Sequence, residues 1–409
     1  MSQYQLFGGT PLYGAVAVGG SKNAALPILF AALSVPGVSI IENLPAIADV
    51  RMALSLLCEL GVEITYEDAH TVRLDTRSAQ LMPHCGKLTA ALRASTYLLG
   101  AELSRFSESR LYDFGGCAFC PRPIDLHLYA IRAFGGCVTD DRVALYRPRA
   151  AHIRFPLPSV GATVNALIIA SHIPEDTVLE NVALEPHVMA LVAFLSRAGA
   201  DISLCGTSMR VRGGRLRGVR FRIIPDMIEA GTYLLAGAIT RGRVRVNDVI
   251  VDHMASLSRA LLQMGADVRV GENYISASAE GGLCPTSVVA APYPAFPTDL
   301  APIMGALLCT VGGCVTDTVF PERIGYTRAL LDMGAQLTCE GGRVDFLSPP
   351  THGASLVASD LRGTAAITLC ALAVADRSTL SGAQLLDRGY ESFFERLHDL
   401  GADVRCIQE

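Results

Sequence analysis

Leu60-Gly61-Val62-Glu63-Ile64 reads as a helix end, a glycine stop and the start of a strand. The same signature returns at Phe134-Gly135-Gly136-Cys137-Val138, Ala198-Gly199-Ala200-Asp201-Ile202, Met264-Gly265-Ala266-Asp267-Val268, Met333-Gly334-Ala335-Gln336-Leu337 and Leu400-Gly401-Ala402-Asp403-Val404. The glycines lie 74, 64, 66, 69 and 67 residues apart. A helix ends with least strain at a left-handed residue, which glycine supplies without a Cβ clash. Six copies at this period predict an α/β fold built from six repeated units.

A second element recurs in each unit. Asn23–Leu33, Ala94–Leu103, Gly161–Ala170, Ala230–Ile239, Leu300–Val311 and Gly363–Val374 are rich in small and apolar residues and lack a clear polar face. A helix that is apolar all round is buried. These stretches account for a mean hydropathy of +0.36, and none reaches the ~18 uninterrupted apolar residues that suggest a membrane span. Lys22 followed by Ala24–Val35 resembles a signal peptide, but it comes after strand-like sequence and five similar stretches follow it, so it is assigned to the repeat.

The chain has 409 residues, half of them hydrophobic, a length that suggests more than one domain. A net charge of −5 argues against nucleic acid as a partner. Twelve cysteines without a framework spacing, most of them in apolar runs, predict reduced thiols and a cytoplasmic setting.

The polar exceptions cluster at the starts of the apolar helices: Lys22, Arg93, Ser159, Asp226 with Glu229, Asp299 and Arg362. Cations there oppose the helix dipole. In two bundles of three units, Lys22, Arg93 and Arg362 could converge on an anionic ligand; the alternative is surface salt bridges, which are weak. A third slot lies between the middle strand and the next helix, at Gly115–His127, Glu185-Pro186-His187, Phe320–Arg323 and Asp387-Arg388-Gly389-Tyr390-Glu391. In the first of these, Cys117 precedes Arg122 by five residues, and a thiol beside cations is a usable acid or nucleophile. Cys117 and Cys120 could also be a redox pair or half a zinc site. No second such pair or suitably spaced His pair accompanies them, so no metal is expected. His127 reads as a structural or supporting histidine.

Several motifs together resemble the UDP-N-acetylglucosamine enolpyruvyl transferase family over nearly the whole chain. They are Gly20-Ser21-Lys22-Asn23-Ala24-Ala25-Leu26, Arg93-Ala94-Ser95, Gly115-Gly116-Cys117 with Arg122-Pro123-Ile124-Asp125-Leu126-His127, and Pro158-Ser159-Val160-Gly161-Ala162-Thr163. Phe296-Pro297-Thr298-Asp299, Thr318-Val319-Phe320 with Arg323, Asp360-Leu361-Arg362 and Asp387-Arg388-Gly389-Tyr390-Glu391 complete the set. The resemblance implies a two-domain inside-out α/β barrel: residues 20–225 in one domain, 1–19 with 226–409 in the other, and an active site in the cleft between them. It implies transfer of the enolpyruvyl group of phosphoenolpyruvate to the 3-hydroxyl of UDP-N-acetylglucosamine by addition and elimination, with release of phosphate. That reaction is the first committed step of peptidoglycan synthesis, and the resemblance implies no cofactor and no membrane partner.

Carried over by motif, Lys22, Arg122 and Arg388 hold the phosphate of phosphoenolpyruvate, with Asn23, Arg323 and Arg362 beside them. Asp299 accepts the hydroxyl proton. Cys117 supplies the proton to C3 and can form an adduct with phosphoenolpyruvate. Asn23, Arg93, Arg122, Pro123, Ile124, Asp125, Leu126, Leu157, Pro158, Ser159, Val160, Asp299 and Val319 line the UDP-sugar site.

This sequence departs from the family pattern at Phe119-Cys120, His187, Met227, Leu385 and Gly363-Thr364. Three rivals follow: a transferase using shikimate 3-phosphate, against which Asn23 and Cys117 speak; a paralogue with another nucleotide-linked acceptor; and a non-catalytic sugar-nucleotide sensor.

Overall fold

The computed structural model describes residues 3–82, 86–115 and 122–407. The described chain divides into two compact units, residues 20–115 with 122–224, and residues 3–19 with 225–407. The first contains helices α1 (Lys22–Ser34), α2 (Ala48–Glu59), α3 (Gly86–Ala91), α4 (Leu98–Phe106), α5 (Asp125–Ala133), α6 (Val160–Ala170) and α7 (Pro186–Ala198). The second contains α8 (Met227–Ile239), α9 (Ala255–Gln263), α10 (Ala301–Val311), α11 (Thr327–Asp332), α12 (Leu361–Ala373) and α13 (Phe393–Asp399).

The apolar stretches are the inner helices. In the first unit α1, α4 and α6 pack on one another; in the second, α8, α10 and α12 do. Every residue from Ala24 to Ser34 of α1 and from Ile228 to Ile239 of α8 is buried. Each fully buried Leu or Ile contributes about 1.5–3 kcal/mol of transfer free energy, so the centre of each unit is its main source of stability. All six stop glycines have positive φ, from 77° at Gly61 to 129° at Gly199.

Sheets surround the inner helices. In the first unit Arg220–Arg222 runs parallel to Val38–Glu42, which pairs antiparallel with Thr71–Asp75, itself paired antiparallel with Glu63–Asp68. His152–Arg154, Asp176–Glu180, Ser208–Arg212 and Asp201–Cys205 repeat that order. The third sheet, Glu108–Arg110, Arg142–Ala144 and Cys137–Val138, lacks the parallel edge strand among the described residues. The second unit has three four-stranded sheets of the same pattern. Along Arg243–Asn247, Val244 and Val246 are buried while Arg243 and Arg245 face out, the alternation of a half-buried strand.

One exchange makes the units discontinuous in sequence. Tyr13–Ala17 precedes α1 but runs parallel to Arg243–Asn247, the strand after α8. Arg220–Arg222 precedes α8 but runs parallel to Val38–Glu42, the strand after α1. The N-terminal strand Gln3–Phe7 pairs antiparallel with both Arg377–Ser381 and Asp403–Ile407, completing the sheet of the last repeat.

Candidate active site

In the first unit the candidate residues stand at the starts of inner helices and in the loops beside them. Lys22 and Asn23 open α1 after Ser21. The ammonium of Lys22 meets the carboxylate of Asp49 at 2.7 Å, with the lysine side chain 13% exposed and the aspartate side chain 3%. Arg93 opens the 3-10 turn Arg93–Tyr97. Its guanidinium donates to the carbonyls of Phe114 at 3.2 Å and Pro123 at 3.4 Å. Burial pushes the Tyr97 hydroxyl up to about 12 against the opposing pull of Arg93 and Arg122, whose charges both act on this ring. Arg122, Pro123 and Ile124 lead into α5, which Asp125 and Leu126 begin. Leu157 is exposed, Pro158 follows it, Ser159 caps α6 by accepting from Ala162 N–H at 3.4 Å, and Val160 is the first residue of that helix. Cys117, with Gly116, Phe119 and Cys120, lies outside the described residues.

His127 is a core histidine. Asn165 donates from Nδ2 to its Nδ1 at 2.6 Å and to the Thr96 carbonyl at 3.0 Å, and accepts Gly100 N–H at 2.8 Å. Burial pushes the imidazole down to about 3, and the charge of Arg93 acts in the same direction. The ring lies against the start of α6: a Cβ on Gly161 would fall 2.7 Å from both Cε1 and Nε2.

In the second unit the polar cluster is tighter. Asp299 lies in the 3-10 turn Thr298–Leu300 that leads into α10. Arg323 donates to its Oδ1 at 2.8 Å and Arg362 to its Oδ2 at 3.0 Å. Both arginine side chains are 5% exposed. Arg323 also donates to the Thr298 carbonyl at 3.0 Å and lies over the Phe320 ring, 4.7 Å from its centroid. Arg362 sits in the first turn of α12, whose cap Asp360 accepts both Arg362 and Gly363 N–H at 3.0 Å. Its guanidinium is 5.3 Å from the centroid of Tyr390, whose hydroxyl bonds Thr232 at 3.0 Å. Val319 and Phe320 donate their N–H groups to Asp317 at 2.9 Å. Arg388 is half-buried at the end of the turn Ala383–Arg388.

The remaining polar helix starts are structural. Asp226 caps α8, accepting from Ile228 N–H at 2.7 Å and Glu229 N–H at 3.1 Å. Glu229 accepts Gly19 N–H at 3.0 Å and pairs with Arg396 at 2.7 Å. Burial raises its carboxyl to about 7 against the pull of Arg396.

Sequence reasoning missed two kinds of group. Asp49 occupies the stripe of α2 that also buries Ala53 and Leu57, and an acid at helical spacing with core residues was a usable signal. The direct contacts of Arg323 and Arg362 with Asp299 had no local signal, because three separate segments supply them. Among the described residues no group of three or more His, Cys, Asp or Glu is placed to hold a metal ion. No helix among them is long and apolar enough to cross a membrane.

The family model described as EPSP synthase (3-phosphoshikimate 1-carboxyvinyltransferase) matches residues 6–397. The chain is 38% identical, over the whole of both sequences, to the UDP-N-acetylglucosamine 1-carboxyvinyltransferase of Oleidesulfovibrio alaskensis. It is also 38% identical to the protein of that name from Thermus thermophilus, over 97% of this chain and 95% of the other. Among solved structures, the enolpyruvyl transferase NikO from Streptomyces tendae superposes with a TM-score of 0.89 at 26% identity, covering 99% of each chain. The EPSP synthase of Acinetobacter baumannii superposes with a TM-score of 0.78 at 16% identity, a likeness of fold alone.

Proposed function

The chain belongs to the enolpyruvyl transferase family, together with the UDP-N-acetylglucosamine 1-carboxyvinyltransferases, and from that premise we propose that it transfers the enolpyruvyl group of phosphoenolpyruvate to the 3-hydroxyl of UDP-N-acetylglucosamine. The product is the enolpyruvyl ether and phosphate, and the step opens peptidoglycan synthesis in the cytoplasm. The observation that carries the reading is the Asp299–Arg323–Arg362 cluster: a carboxylate leading into α10, a buried cation in the first turn of α12 and a second buried cation from the loop before α11.

In this reading the two substrates are held by the residues that the motifs imply. Lys22, Arg122 and Arg388 bind the phosphate of phosphoenolpyruvate, with Asn23, Arg323 and Arg362 beside it. Asn23, Arg93, Arg122 to Leu126, Leu157 to Val160, Asp299 and Val319 bind the UDP-sugar. The sugar 3-hydroxyl adds to C2 while its proton passes to Asp299, and Cys117 gives a proton to C3. Loss of a proton from C3 then breaks the C2–O bond to phosphate and restores the double bond.

A carboxylate clasped by two guanidiniums is a weak base. The clasp therefore suits a resting site. An arriving anionic substrate that draws Arg323 or Arg362 onto its own oxygens restores the basicity of Asp299 when it is needed. The same arginines would then neutralise charge as phosphate departs.

The test is phosphate release from phosphoenolpyruvate with and without UDP-N-acetylglucosamine. Release that requires both substrates is expected. No release from folded protein would sink the reading and turn attention to another acceptor, with His187 and Met227 the first positions to examine.

A further inference from the structure

Lys22 occupies an unfavourable place. It is the first residue of a buried helix, where the partial positive charge of the helix N-terminus opposes a cation, and its side chain is 13% exposed. A cation in such a place needs a fixed counter-charge. Asp49 provides one at 2.7 Å from the ammonium. The carboxylate itself is well supported, because it lies in the first turn of α2, where the helix dipole favours an anion. It is 2% exposed, on a helix that packs against α1. The ammonium is therefore held by an acid that has little room to move.

We propose that Asp49 is a positioning residue for Lys22: it aims the ammonium at the phosphate of phosphoenolpyruvate. The proposal rests on the assignment of Lys22 to that phosphate. A buried ion pair serving stability alone is the competing account, and the two differ in which substrate feels its loss. Positioning of Lys22 acts on phosphoenolpyruvate, whereas a general loosening of the unit acts on both substrates or on neither.

The experiment measures steady-state kinetics for each substrate, together with thermal unfolding, in the wild type, Asp49→Asn, Asp49→Glu, Lys22→Ala and the double variant Lys22→Ala with Asp49→Asn. Asp49→Asn should raise the KM for phosphoenolpyruvate about tenfold and leave that for UDP-N-acetylglucosamine within about twofold. In a Lys22→Ala background the same change should have no further effect on phosphoenolpyruvate, since positioning has no target there. Asp49→Glu keeps the charge but moves it by a methylene, and should raise the phosphoenolpyruvate KM at least threefold. A lower melting temperature with both KM values unchanged overturns the proposal. If Asp49→Asn does not fold, Asp49→Glu decides: an unchanged phosphoenolpyruvate KM overturns it. If Lys22→Ala itself leaves phosphoenolpyruvate kinetics unchanged, the assignment of Lys22 fails. If Lys22→Ala is impaired and both Asp49 variants behave as wild type, the positioning role alone fails.

Discussion

Arg362 and Asp299 are 63 residues apart in the chain, and the guanidinium of one donates to the carboxylate of the other at 3.0 Å. With Arg323 on the second oxygen, the aspartate is the centre of a cation–anion–cation cluster whose two arginines are almost fully buried. Truncating one member of a buried pair costs more than the pair contributes, because a desolvated charge is left behind.

Asp299→Ala should therefore destabilise the protein by about 3–5 kcal/mol as well as abolish turnover. Asp299→Asn retains two acceptor lone pairs and should lose less stability, yet remain inactive for want of a proton acceptor. Thermal unfolding and phosphate release on both variants check this. Appreciable turnover in Asp299→Asn would remove the base assignment.

Arg93 bonds the carbonyls of Phe114 and Pro123, one on each side of the segment that carries Cys117. Arg93→Lys keeps the charge but cannot span both carbonyls with a fork. We expect at least a tenfold loss of kcat/KM with unchanged far-UV dichroism, measured by phosphate release and circular dichroism. Wild-type kinetics in Arg93→Lys would leave only the charge of this residue as its contribution.

Cys117→Ala should abolish or severely reduce turnover near neutral pH with the fold retained. Cys117→Asp should keep measurable activity, because a carboxylic acid can also donate a proton. Near wild-type activity in the alanine variant would exclude the thiol as proton donor.

His127 supplies a pH dependence of stability. Burial holds its imidazole at about 3 in the folded chain, against about 6.5 when unfolded. Below pH 6.5 the unfolded chain gains a proton that the folded chain refuses, so stability falls as pH drops from 6.5 towards 3. Between pH 7 and pH 5 this amounts to about 2 kcal/mol. His127→Gln can still accept from Asn165 and does not titrate. The stability gap between wild type and variant, measured by urea unfolding, should shrink over that interval by about this amount. A constant gap would mean that the imidazole titrates normally.

The legible part of this protein was the part written in neighbouring residues. Gly61 and its five counterparts end helices because a left-handed cap needs no distant partner, and their spacing alone implies six units. The inner helices were equally plain, since Ala24 to Ser34 present no polar face to leave outside. The motifs holding Lys22, Arg122, Asp299 and Arg388 were legible by resemblance. Asp226 stood out in sequence only as a polar residue at a helix start, and the structure makes it the cap of α8. His127, read as a structural or supporting histidine, is buried in the core, although Asn165, 38 residues away, could not be named as its partner.

The tertiary structure alone decided which charges meet. The spacing of Asp49 with Ala53 and Leu57 marks it as an acid on a buried stripe, but its partner Lys22 is set only when α2 packs on α1. The resemblance grouped Arg323 and Arg362 beside the phosphate, but their direct contacts with Asp299 exist only once three segments close together. The exchange of Tyr13–Ala17 and Arg220–Arg222 between repeats is silent in residue pattern, because both are simply strands in sequence; only the resemblance set residues 1–19 with 226–409. Caps, periodicity and burial depend on residues within a turn or two of each other, so the chain states them directly. Ion pairs and edge-strand choice depend on which surfaces the buried helices bring together, and only packing determines that.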